Sequence, residues 1–238
     1  MNAIRHIGSR KLSFPVLKAG WRGLHSGGGI GLLGVCEDRN SSYLQGSALA
    51  PKLIRQALMC DSSNSYSELY VDVAPSIKDF GDVLPELPSA ESLCRAIRPK
   101  LEEIVKRECR TPLILGGDHS ISYPVIASLV DVIQKPVVVV HFDAHPDLYD
   151  DFEGNPWSHA SPFARILENK ALCRQLISFG IRTANRHQRE QMEKYSVHVI
   201  EARDFPLKGM WCNANICMSC SMHKYIQIYI FGRVLASL

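Results

Sequence analysis

Histidine and aspartate concentrate in two short stretches of this sequence, GGDHS at residues 116–120 and FDAHPD at residues 142–147. If the second stretch stays extended, Asp143, His145 and Asp147 fall at positions i, i+2 and i+4, and their side chains share one face. Pro146 sits inside that run, so a bend is expected before its end. With His119 delivered from the end of a preceding strand, the ensemble offers two imidazoles and two carboxylates. Such a donor set suits a divalent first-row metal, and manganese over structural zinc, which favours thiolates. Taken alone, Asp118 and His119 read equally well as a turn or a helix cap.

The elements that must position these residues follow from hydrophobic periodicity. Apolar residues at 30–35 make a strand, and Pro51 suits the first turn of a helix running to about residue 60. A strand is expected near 77–80. Ser89 can cap a helix whose Leu93, Ile97, Leu101, Ile104 and Val105 repeat at helical spacing, with Pro99 expected to kink or split it. Residues 113–115 form a very short strand, Ser122 and Pro124 open another helix, and the β-branched run at 137–142 reads as a fully buried strand. The alternation continues with a helix at 162–168, a strand at 176–181, a helix at about 188–195 and a strand at 197–200. This order predicts an α/β fold with a mostly parallel sheet and helices on both faces. Ligands of such sheets gather beyond the carboxyl ends of the strands, where both His/Asp stretches fall.

Composition narrows the function further. The 238 residues and 46% apolar content suit one domain with a sizeable core, and a net charge of +3 gives little reason to invoke a nucleic acid or an acidic membrane. No run reaches the roughly 18 apolar residues of a membrane span. The eight cysteines are scattered through helical and stranded patterns, which points to reduced thiols inside a cell. Cys212, Cys217, Cys220 and His223 have a spacing that a zinc site would tolerate, although no second ligand pair follows. Residues 1–28 hold no Asp or Glu and carry Arg5, Arg10, Lys11, Lys18 and Arg22 among serines, the composition of a mitochondrial transit peptide or of a disordered basic arm. Mitochondrial localisation is the expectation, with the cytoplasm as the alternative.

GGDHS together with DAHPD resembles the paired metal signatures of the ureohydrolases, the family of arginases and agmatinases. Further agreement comes from NSSYLQG at 40–46, DFGDV at 79–83 and YDDFEGNPWSHASPFARI at 149–166. The pattern is most similar to plant-type arginases. The resemblance implies a three-layer α/β/α fold and a two-manganese site in which His119, Asp143 and Asp147 hold one ion, His145 holds the second and Asp143 bridges them. It implies that the metals activate a water which attacks a guanidinium carbon to release urea. His159, in SHASPF, matches the family's proton-shuttling histidine. Asn155 is a weaker candidate for holding the guanidino substrate, against plain turn chemistry. The family also implies homo-oligomers, trimers or hexamers.

The same resemblance organises the chain into a basic arm at 1–28, a partial ureohydrolase domain at 29–209 and a divergent tail at 210–238. Residues 205–238 contain no Asp or Glu, whereas the family places two more aspartate ligands in that region. The expectation is therefore a C-terminally truncated domain that keeps one manganese, or partial occupancy, with impaired activity on arginine. The alternatives are an agmatinase, or a non-catalytic subunit that binds one metal or joins family oligomers. The YIQIYIFG run in the tail has strong β propensity and is suited to cover an exposed sheet edge.

Overall fold

A computed structural model describes residues 29–87, 89–108, 110–204 and 229–231. Seven strands and five α-helices are seen among them. In chain order these are β1 (Ile30–Val35), α1 (Ala50–Leu58), β2 (Ile77–Val83), α2 (Ala90–Glu102), β3 (Thr111–Gly116), α3 (Ser122–Ile133), β4 (Val137–Phe142), α4 (Pro162–Glu168), β5 (Cys173–Ile181), α5 (Arg186–Lys194), β6 (His198–Glu201) and β7 (Tyr229–Phe231). All pairings between these strands are parallel. They make two groups, β2-β1-β3 and β6-β5-β4-β7.

Helices cover the first sheet on both sides. Leu33 and Val35 of β1 join Leu93, Ile97 and Leu101 of α2 and Val125, Leu129 and Val132 of α3 in one buried cluster. The intervening Gly34 faces the other way, where a Cβ would come within 2.8 Å of Pro51 in α1. Opposite Leu33, β2 carries one residue more than β1, so the register slips between Leu32 and Gly34. Gly81 absorbs this bulge with a φ of 77°, a conformation that costs glycine nothing. The bulge puts both Phe80 and Val83, three residues apart, into the same core. Helix α3 also serves the second sheet, since Ile126 packs with Val137 and Val139 of β4, Phe163 and Ile166 of α4 and Leu176 of β5.

The element order agrees with the periodicity, and two details differ. Helix α2 is not split at Pro99 but runs through it to Glu102, followed by one π turn at Glu103–Arg107. Leu93, Ile97, Leu101 and Ile104 are all buried, and this packing on either side of the proline holds the helix together where a backbone bond is lost. The second difference is that β4 is not buried throughout, since Val138 and Val140 are half-buried and Phe142 is exposed. The tail follows its expectation. Tyr229–Phe231 lies parallel to Val140–Phe142 on the edge of β4, as its β propensity suggested. The candidate zinc ligands Cys212, Cys217, Cys220 and His223, and the basic arm at 1–28, lie outside the described residues. Among the described cysteines, Cys36, Cys60, Cys94 and Cys173 are free thiols. No described helix is long and apolar enough to cross a membrane.

Two expectations follow. Ile126 is fully buried in the core of the second sheet, so Ile126→Ala is expected to cost roughly 2–5 kcal/mol in urea unfolding. Arg55 of α1 pairs with Asp79 (2.7 Å) and with Asp82 of β2. Burial works against ionising Asp79, but Arg55 and the Gly81 N–H prevail and hold its pKa below the ordinary value. A depressed carboxylate pKa stabilises the fold above the unfolded pKa and loses that effect as pH falls through the folded one. Asp79→Asn is therefore expected to be less stable than the parent near neutrality, and the difference should shrink and vanish as pH falls through the depressed pKa of Asp79.

Candidate metal centre

The two His/Asp stretches meet beyond the carboxyl ends of β3 and β4. After β3, Gly117 crosses so close to the chain that follows β1 that a Cβ there would lie 1.8 Å from the Glu37 carbonyl oxygen. The Gly117 and Asp118 N–H groups donate to Val35 O (3.2 Å) and Glu37 O (2.8 Å). Asp118 then caps a short 3-10 turn at His119–Ile121, accepting from the Ser120 N–H at 2.8 Å. This fixes where His119 projects.

After β4 the chain does not stay extended. The strand ends at Phe142, the His145 N–H donates to Asp143 Oδ1 (3.0 Å), and Asp147 adopts a φ of 48°. Asp143 and Asp147 are therefore brought to one site by a turn, not by strand alternation carried through Pro146. Neighbouring segments pin that turn. Asp143 N donates to Phe179 O, Arg182 N and Thr183 N both donate to Ala144 O, and Phe163 N donates to Asp147 O.

The side chains converge as a result. His119 Nδ1 lies 2.6 Å from Asp147 Oδ2, and His145 Nδ1 lies 3.5 Å from Asp143 Oδ1. Three residues, His119, His141 and Asp143, place ligand atoms within 4.8 Å of one another. Burial disfavours a charged His119, yet its contact with Asp147 and the charges of Asp147, Asp143 and Asp118 outweigh burial and raise its pKa. Asp143 is drawn down to about 2 in spite of its own burial, by His141, by the His145 N–H and by His119. Burial raises Asp118 and keeps His141 below the ordinary imidazole value. A concentration of positive charge is thus favoured where the carboxylates converge, and His119 Nε2 is buried without a hydrogen-bond partner. These residues fit a divalent cation.

The other two candidates sit on an adjoining rim. His159 Nε2 is 2.8 Å from Ser42 Oγ, and the His159 N–H donates to Asn40 O at 3.3 Å. Asn155 Nδ2 donates to Asn40 Oδ1 (3.1 Å), while Asn155 Oδ1 accepts from the Trp157 N–H (2.9 Å). Asn155 therefore serves the turn, and its amide also ties two loops together. The rim connects to the donor cluster because Asn40 Nδ2 donates to Ser120 Oγ (3.3 Å) and Ser41 Oγ to Asp118 Oδ2 (3.4 Å).

Residues 29–228 match the arginase family over most of the chain. The chain belongs to the arginase family. It is 44% identical over 181 residues to an arginase of Glycine max, covering 73% of this chain and 51% of that protein. To an Arabidopsis thaliana protein named arginase 1, mitochondrial, it is 43% identical over 181 residues, 73% of this chain and 53% of the relative. Among solved structures, arginase from Medicago truncatula superposes with a TM-score of 0.70 at 40% identity, covering 79% of this chain and 63% of that one. The chain thus spans about half the length of the curated relatives it matches.

Membership leaves several neighbours of the site unaccounted for by motif. His141 carries no motif signal within its β-branched strand, yet it stands two residues before Asp143 at the end of β4. Asp38 shows no chemical pattern in sequence, yet it is buried and its Oδ2 accepts from the Gly46 (2.6 Å) and Ala48 (2.9 Å) N–H groups. Those two bonds close the loop that carries Asn40 and Ser42. Asp38→Ala is expected to loosen it, raising amide exchange at residues 40–48 while β1 stays protected, as measured by hydrogen–deuterium exchange.

Proposed function

We propose that this chain is a manganese-dependent ureohydrolase acting on the guanidino group of arginine, or of a close relative such as agmatine, to release urea. The observation that carries the reading is the pair of contacts beyond β3 and β4, His119 with Asp147 and His145 with Asp143, beside ligand atoms of His119, His141 and Asp143 within 4.8 Å of one another. Family membership supports it. In this reading His119, Asp143 and Asp147 would hold one ion, and His145 with Asp143 would hold a second. A bound divalent cation supplies the Lewis-acid charge that makes water nucleophilic near neutral pH.

The remaining roles belong to the rim. His159 takes and returns protons, with Ser42 Oγ setting the orientation of its Nε2. The Asn155 amide, held against Asn40, contacts the substrate. Residues 205–238 contain no Asp or Glu, and the His119 side has three of the four candidate ligands, so we assign the firmer ion to that side. The same observation favours a second reading, a metal-binding subunit that assembles with family oligomers without catalysis. A homo-oligomer and a mitochondrial location, with the basic segment 1–28 as its targeting signal, complete the proposal; the relative named as mitochondrial supports the location.

The test is urea release by the purified full chain with and without manganese, on arginine, agmatine and guanidinobutyrate. Manganese-dependent release, greatest on arginine, is expected. Bound metal with no urea from any of the three leaves the subunit reading in place of the enzyme. In an active preparation, His119→Ala should abolish activity through lost metal. His159→Ala should keep the metal and lower kcat by about 10²–10⁴-fold.

A further inference from the structure

His141 is fully buried inside the end of β4, two residues before Asp143, which follows the strand directly. Its Nδ1 is 3.3 Å from the hydroxyl of Ser178, its register partner on β5 and equally buried. Its Nε2 has no hydrogen-bond partner and faces Asp143 Oδ2 at 3.6 Å. Phe163 packs on the ring, with centroids 4.3 Å apart, and limits its rotation.

The position of the hydrogen follows from what each nitrogen faces. A lone pair on Nε2 would point at a carboxylate, which repels it, whereas an N–H there is attracted. The hydrogen therefore sits on Nε2, and Ser178 donates its O–H to Nδ1. We propose that His141 is a positioning residue of the metal centre, orienting the Asp143 carboxylate from beneath through its Nε2–H. The His145 N–H holds the other oxygen of Asp143 at 3.0 Å, so one oxygen is hydrogen-bonded and the other faces His141. Outer partners of this kind commonly set how well a ligand binds metal. With its hydrogen on Nε2 and its Nδ1 engaged by Ser178, His141 is not itself a metal donor, despite lying in the same cluster as His119 and Asp143.

This inference rests on the metal-centre reading, and the experiment separates the two. Manganese is titrated into the purified full chain while the signal of free Mn2+ is followed by electron paramagnetic resonance. His141→Phe keeps a planar ring and removes the N–H; His141→Gln restores an N–H at similar reach. We expect His141→Phe to weaken Mn2+ binding about 10–100-fold and His141→Gln to recover most of it. Unchanged affinity in His141→Phe overturns the proposal, and equal weakening in both variants assigns His141 to packing alone. Loss of a nitrogen ligand from the visible spectrum of the Co2+-loaded chain in His141→Gln shows direct ligation and overturns it too. If His141→Phe fails to fold, Ser178→Ala takes its place: it leaves the imidazole but removes the group that sets its tautomer. A smaller loss of Mn2+ affinity is expected there, and none overturns the proposal. A parent chain that takes up no Mn2+ fails at the metal-centre reading itself, before any variant is compared.

Discussion

Three carboxylates, Asp118, Asp143 and Asp147, are gathered with three imidazoles, His119, His141 and His145, at the carboxyl ends of β3 and β4, and charge so concentrated must be compensated. The 2.6 Å contact between His119 and Asp147 answers that need, and it also spans the two strand groups. Among the described residues no backbone pairing joins β3 to β4. The groups are coupled instead by the apolar faces of α3, which feed both cores, and by the polar contacts of the site. The electrostatics that favour a cation are thereby part of what holds the halves in register.

The surroundings follow the same logic of buried charge given a partner. Glu37 is almost fully buried and is met by the backbone and guanidinium of Arg39, whose other nitrogens reach the carbonyls of Pro85 and Glu86. Asp38 spends its carboxylate on two backbone N–H groups. Each acid would be costly to bury alone, and each instead fixes a stretch of loop that a short chain segment could not order by itself. The loop so ordered holds Asn40 and Ser42 against Asn155 and His159, which converts remote pairings into the orientation of a single imidazole.

Much of this was legible from residue types. GGDHS and DAHPD mark their chemistry because paired His and Asp in short spacing have few uses other than metal binding, and both fall at strand ends whose β-branched runs are unmistakable. The capping serine of α2 and the Asn185 cap of α5 are local devices, read or readable within a few residues. The path through Pro99 was not legible, since local rules break a helix at proline and only the buried residues on both sides overrule them. The bend in the second stretch was announced by Pro146, but not that the His145 N–H would turn the chain back onto the Asp143 carboxylate directly after the strand.

By itself the sequence determined the family, the order of strands and helices, and which residue types stand ready at the ends of β3 and β4. These rest on periodicity and short motifs, which are local along the chain. Tertiary structure alone decided that His141 sits beneath Asp143, that Asp38 closes the loop over the site, and that His159 meets Ser42. Each of these joins groups through a bend, a neighbouring strand or a partner as many as 117 residues away. Hydrogen-bond geometry at such separations is set by packing, and packing leaves no periodic trace in one sequence.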